Sequence, residues 1–139
     1  MPDLINGVHL QAEQLDDPNI MKAIETFAEW VVASEFKPLS PGLERCFDEQ
    51  REDKIRPLVN AIGSGNGPRY QILRTTNRKY VKAGTAYLVP IRIIPDAKPT
   101  ISDTRTTTTE LKLRTKIFIN MPIYVDKDVY FTLITRKQD

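Results

Sequence analysis

The stretch ELKLRTKIFI, Glu110 to Ile119, decides how the second half of the chain is read. Taken at a two-residue period, Leu111, Leu113, Ile117 and Ile119 fall on one side with Thr115 among them, and Lys112, Arg114 and Lys116 fall on the other. Successive side chains of a strand point to opposite faces, so the pattern predicts a half-buried strand with one core face and one row of positive charge.

The surrounding sequence has the same character. RYQILRT (69–75), KYVKAGTAYLVPIRII (79–94), a long run over about 106–125 and DVYFTLITRK (128–137) are rich in β-branched and aromatic residues and predict four strands. Asn77 suits a turn between the first two, and Asp126-Lys127-Asp128 a turn between the last two. PDAKPTISDTRTTTT, between strands two and three, predicts a long hairpin with a polar tip. Pro90, Pro95 and Pro122 lack the amide that a ladder needs, which restricts them to edges, strand ends or bulges.

The first half is organised differently. Asp17 and Pro18 make an N-cap followed by a proline at the first helical position, and Ile20, Ile24, Phe27, Ala28 and Val31 recur at helical spacing, predicting a helix over about 18–35. Lys37-Pro38 should stop it. Ser40-Pro41 repeats the cap-and-proline signal. Leu43, Phe47, Ile55, Leu58, Val59 and Ile62 extend an apolar stripe, predicting a second helix that kinks or breaks near Arg56-Pro57, with charge pairs such as Arg45/Glu49 and Glu52/Arg56 on its outer face. LINGVHL (4–10) suits a short strand or an arm docked on another chain, and its Asn6-Gly7 equally suits a turn. The expected architecture is one α+β domain over 1–139. An N-terminal arm (1–17) precedes an acidic helical part (18–66) and a basic β part (67–139). Two or three helices pack on a four- to five-stranded, mostly antiparallel sheet with a long hairpin.

Charge follows the same division. The chain is nearly neutral, at +2, but residues 1–66 hold 6 Lys/Arg against 12 Asp/Glu, while 67–139 hold 14 against 6. At 139 residues, 40% hydrophobic and 27% charged, the chain is long and apolar enough to bury a core. It lacks the roughly 18–20-residue apolar run of a membrane span and, at its start, the basic and apolar segments of a secretory signal. The expectation is a cytoplasmic or virion protein. Its one cysteine, Cys46, is expected to be a packed thiol.

GSGNG (63–67) has the composition of a phosphate cradle, but it closes a helix and precedes a strand, whereas a phosphate loop follows a strand and opens a helix; Gly63 then reads as a C-terminal helix cap. Asp48, Glu49, Glu52 and Asp53 are interleaved with Arg45, Arg51, Lys54 and Arg56, the pattern of a solvated face rather than a cation site. His9 is the only histidine, and neither it nor Cys46 sits in a nucleophile motif. No catalytic residue, metal site or cofactor is therefore expected, and the class indicated is not an enzyme.

The basic β part carries the functional expectation. Lys112, Arg114, Lys116, Arg92, Lys82, Arg78 and Lys79 are the candidate contacts for nucleic acid or a partner, with Arg69, Arg74, Arg136 and Lys137 nearby in sequence. Tyr70, Tyr80, Tyr87, Phe118 and Tyr130 lie among them, and an aromatic ring beside a cation can stack an unpaired base. Two roles fit. One is a self-assembling structural subunit, of the kind found in a virus or phage particle as coat, neck or tail ring, whose basic sheet meets the acidic helical surface of another copy or a packaged nucleic acid. The alternative is a domain that binds RNA or other single-stranded nucleic acid through its phosphates.

Overall fold

Asp17 opens the first helix as expected, its carboxylate accepting the Asn19 amide at 2.8 Å with Pro18 in the first turn. The structure, a computed structural model, describes residues 10–62, 69–82, 84–94, 96–103 and 108–135. Arm residues 1–9 with His9, the GSGNG cluster, Pro95, the stretch 104–107, Arg136 and Lys137 lie outside the described residues.

In chain order the elements are β1 (Gln11–Gln14), α1 (Pro18–Val31), β2 (Phe36–Ser40), β3 (Leu43–Cys46), α2 (Arg51–Ile62), β4 (Arg69–Thr75), β5 (Lys79–Val81), β6 (Ala86–Ile93), β7 (Thr100–Asp103), β8 (Thr108–Glu110), β9 (Thr115–Ile119), β10 (Ile123–Val125) and β11 (Val129–Thr135). They make two sheets with antiparallel pairing, a large one in the order β1-β9-β6-β11-β4-β3-β2 and a small one in the order β5-β10-β7-β8. This corrects the expected α+β architecture. The described chain is mostly β, with two helices and eleven strands in two sheets, not two or three helices on one sheet of four or five strands.

The fold has two cores on opposite faces of the large sheet. Leu73, Leu88, Ile117, Ile119, Val129, Phe131 and Leu133 meet Val81, Ile101, Ile123 and Val125 of the small sheet. Ile72, Val89, Ile91 and Ile134 meet Ile24, Phe27 and Val31 of α1 and Ile55, Leu58, Val59 and Ile62 of α2. The layers run helices, large sheet, small sheet. β11 alternates between the two cores, which is why VYFTLIT is an almost unbroken apolar run rather than an alternating one.

Single residues account for the departures. Pro38 and Pro41, expected to stop one helix and start another, lie in a β-hairpin. β2 is an edge strand, where a missing amide is tolerated, and Pro41-Gly42 forms the turn, with Gly42 at φ 84°. α2 begins only at Arg51 and continues through Pro57, because Ile55, Leu58, Val59 and Ile62 on both sides of that exposed proline are buried. Of its predicted pairs, Glu52 lies 3.8 Å from Arg56, whereas Arg45 belongs to β3 and Glu49 to the turn before α2. Pro90 occupies a bulge, opposite Phe131 where the β6/β11 register shifts.

The two longest predicted strands are each divided between sheets. Residues 79–94 give β5 to the small sheet and β6 to the large, and residues 106–125 give β8, β9 and β10 to small, large and small in turn. The expected long hairpin contains strand: β7 and β8 pair within it. Four changes of sheet turn on a left-handed residue, Gly84 (φ 71°), Lys98 (46°), Arg114 (65°) and Asp128 (65°).

Thr132 is fully buried on the helical side of β11, and its hydroxyl has no hydrogen-bond partner among the described residues. Its strand neighbours are Val89 and Ile72. Thr132→Val keeps the shape and removes an unsatisfied polar atom, so a gain of about 1 kcal/mol in unfolding free energy is expected, or roughly 3–5 °C in melting temperature by calorimetry.

Candidate nucleic-acid interface

The basic row of Glu110 to Ile119 does not exist as a row. From Thr115 onward the expected alternation holds, with Thr115, Ile117 and Ile119 buried and Lys116 and Phe118 half-buried on the other face. Lys112 and Arg114 lie before the strand, in an exposed turn, and Leu113, expected in the core, is 45% exposed. Arg114 is left-handed, its carbonyl accepts the Leu15 amide at 2.8 Å, and the Thr115 hydroxyl donates to the Lys112 carbonyl at 2.7 Å. Lys116 lies opposite Glu13 of β1, 3.9 Å from its carboxylate, and 4.8 Å from the centre of the Tyr87 ring. Arg92 sits on the helical side of the large sheet and donates a long bond, 3.4 Å, to the Ala28 carbonyl. Arg78, Lys79 and Lys82 cluster at β5 of the small sheet. The seven candidate cations therefore occupy three places.

The acidic helical face expected to receive them is also missing. α1 and α2 together carry Lys22, Arg51, Lys54 and Arg56 against Glu25, Glu29, Glu52 and Asp53, an even balance. The acidic surplus of the first half lies in connections, at Asp16, Asp17, Glu35, Asp48 and Glu49. Of these, Asp48 is occupied in its own turn, accepting the Gln50 amide at 2.9 Å and the Glu35 amide at 3.3 Å. No group of three metal-ligating side chains gathers among the described residues. Cys46 is buried, its sulfur 3.6 Å from the Ser34 hydroxyl.

One of the three places is a built surface. Across the four strands of the small sheet, Tyr80, Tyr124, Ser102 and Thr108 are in register. Their neighbours Val81, Ile123, Val125 and Ile101 are buried against the large sheet, so this row faces outward. The Tyr80 and Tyr124 rings have centroids 5.2 Å apart at 57°. The Arg78 guanidinium lies 4.9 Å from the centre of the Tyr124 ring, donates to the Ser102 hydroxyl at 3.0 Å and stands 3.8 Å from the Asp126 carboxylate. Arg78 is exposed and Asp126 half-buried, so solvent partly screens the pair, and Asp126 is also engaged with the Thr100 amide at 2.7 Å and hydroxyl at 2.9 Å. Lys82 follows the row just past β5 and has no carboxylate in ion-pair contact among the described residues, whereas Lys79 alternates to the inner face with Val81 and lies near Gly42 of the β2–β3 turn. Tyr80 is 45% exposed, and among the described residues no helix or sheet packs over it. The face thus offers two rings, a guanidinium beside one of them, and one further cation, Lys82.

A second constellation lies on the other side of the large sheet. Arg74 of β4 donates through Nε to Glu44 at 2.7 Å and through Nη2 to the same oxygen, and through Nη1 to the Tyr130 hydroxyl at 3.1 Å. It lies 4.5 Å and 5.5 Å from the Phe36 and Tyr130 ring centres. Burial acts to lower the Arg74 pKa, but the bonds to Tyr130 and Glu44 outweigh it and the net shift is upward, so the group stays charged.

Tyr124 was missed in the sequence. The signal was present in IYV, which sets a tyrosine between two buried β-branched residues, and in KYV, which sets one beside buried Val81, but only the pairing of β5 with β10 brings the rings together. Comparison with protein-family models, curated proteins and solved structures finds no match. Among the described residues no helix is long and apolar enough to cross a membrane.

Proposed function

We propose that the chain is a non-enzymatic structural subunit whose small sheet contacts single-stranded nucleic acid, the arrangement that suits a virus or phage particle facing its genome. The observation that carries the proposal is the outward Tyr80–Tyr124 pair with Arg78 over it, on the sheet face opposite the helical layer. Sheet-borne rings stack unpaired bases, and a guanidinium and a lysine beside them take the phosphates. The even charge of the helices argues against another copy's helical face as the acidic partner and leaves nucleic acid as the better match. Contact between copies is a second component. It is favoured by apolar side chains exposed outside the core, Leu39 at 45%, Ile94 at 52% and Leu113 at 45%.

Light scattering on a sizing column, with absorbance at 260 and 280 nm and at two salt concentrations, tests both components. The expected result is an oligomer or particle carrying nucleic acid at low salt and shedding it at high salt. With Arg78 and Lys82 on phosphates, the affinity for oligo(dT) should fall with a log–log salt slope of about −1.4, from roughly −0.7 per phosphate. A salt-independent monomer that does not bind oligo(dT) at low salt contradicts the proposal.

A further inference from the structure

We infer that a second, separate site on this chain binds a phosphate group, in the cleft where β4 and β6 end and β11 begins beside the helical layer. The cleft has a volume of about 400 Å³ and is lined by Arg74, Thr75, Thr76, Arg92, Ile93, Ile94, Asp128 and Tyr130. Its floor is one cross-strand row: Arg92 of β6, Tyr130 of β11, Arg74 of β4 and Glu44 of β3 face each other in register.

The β6/β11 bulge makes the row. Val89 and Ile91 belong to the helical core, so strict alternation would turn Arg92 to the other face of the sheet. Instead the extra residue keeps Arg92 beside α1, within 3.4 Å of the Ala28 carbonyl. Two like charges thus flank a single phenol, and only one is neutralised. Glu44 takes the Nε and Nη2 edge of Arg74, while Arg92 has no ion-pair partner among the described residues.

The hydrogen bonds also leave donors over. The Tyr130 oxygen accepts from Arg74, and its own O–H has no acceptor among the described residues. Arg92 uses one of its five N–H donors, on a long bond. A guanidinium, a phenolic donor and a second guanidinium held rigid by Glu44 and by two rings form an array lacking only an acceptor. A tetrahedral oxyanion, with several lone pairs and more than one negative charge, satisfies more of it than a halide does. Asp128 lines the cleft but pairs with neither arginine, and Ile93 and Ile94 provide an apolar wall for whatever carries the phosphate.

The phosphate can belong to a small organic phosphate or to the 5′ end of a strand, and the test separates them. Inorganic phosphate is titrated into the full chain by NMR at constant ionic strength set with chloride. Saturable shifts are expected at the Arg74, Arg92 and Tyr130 amides, weakened at least tenfold in Arg92→Ala and several-fold in Tyr130→Phe, which keeps the ring but loses the donor. Oligo(dT) with a 5′-phosphate is then compared with its 5′-hydroxyl form. A preference for the phosphorylated end that disappears in Arg92→Ala identifies the strand end as the source, and equal binding of the two alongside Arg92-dependent phosphate binding identifies a small phosphate. Phosphate affinity unchanged in Arg92→Ala, or no saturable response to phosphate, overturns the inference. Loss of this site leaves oligo(dT) binding by the small sheet intact, so the two proposals fail separately.

Discussion

Phe131→Ala should cost about 3–5 kcal/mol of unfolding free energy, the largest single-residue loss expected here, since the side chain is fully buried in the middle of the central strand. Phe131 lies opposite Leu73 on one side and Pro90 on the other, and it closes the core between the sheets. The loss combines the transfer free energy of the ring with a cavity that a two-sheet sandwich cannot close by small shifts. Against a typical total of roughly 5–15 kcal/mol it consumes much of the stability. Urea unfolding followed by circular dichroism should show a lower midpoint with an unchanged slope. The informative comparison is Ile134→Ala on the opposite face of β11, expected to cost about 2–5 kcal/mol because that face is sealed by the helices. In a single sheet with one wet face, one of the two substitutions would be nearly neutral.

Tyr80→Ala combined with Tyr124→Ala should weaken single-stranded nucleic-acid binding on the order of 100-fold. Each stacked base is worth about 1–3 kcal/mol, and every 1.4 kcal/mol is a factor of ten. Removing both rings also takes away the surface over which Arg78 is held, so its phosphate contact loses orientation as well. Tyr80 is half in solvent and Tyr124 half-buried at the outer face, so the variant should keep its melting temperature within a few degrees. Tyr80→Phe with Tyr124→Phe keeps the stacking faces and should bind within about threefold of the natural chain, by the same stacking argument. Fluorescence anisotropy with labelled oligo(dT) reads all three proteins. Equal affinities for natural and alanine variants would remove the small sheet from the account.

What could be read in the sequence, and what could not, follows from how local each signal is. α1 was legible because its cap, its proline and its apolar spacing all lie within a few turns of one another. So were β4 and β11, whose bounds fall within two residues of those expected. The hairpin of β2 and β3 was not, because a serine before a proline is chemically the same whether it caps a helix or leads into a turn; Gly42 with its positive φ decides it. The second sheet was hidden for a related reason. A strand that changes sheet keeps its β-branched composition, and the corners at Lys98, Arg114 and Asp128 are left-handed in residues that do not announce it.

The placement of the candidate cations depended on the same kind of non-local information. The left-handed turn at Arg114 interrupts the run without changing its phase: Leu111, Thr115, Ile117 and Ile119 stay buried, but Leu113 is left in solvent and Lys112 and Arg114 lie off the strand. Lys116 kept its place, but its neighbour Glu13 arrives from β1, far away in sequence. Arg78 and Lys82 stayed near one another because they are close in sequence, Lys79 between them turns to the inner face, and Tyr124 joined the outer row through strand pairing alone.

The most direct test is ultraviolet crosslinking of the natural chain to a uniform single strand, with the adducts mapped by mass spectrometry. Adducts concentrated on the peptides holding Tyr80 and Tyr124 are the predicted result. Adducts confined to α1, α2 or the β2–β3 hairpin, with none on the small sheet, would contradict it.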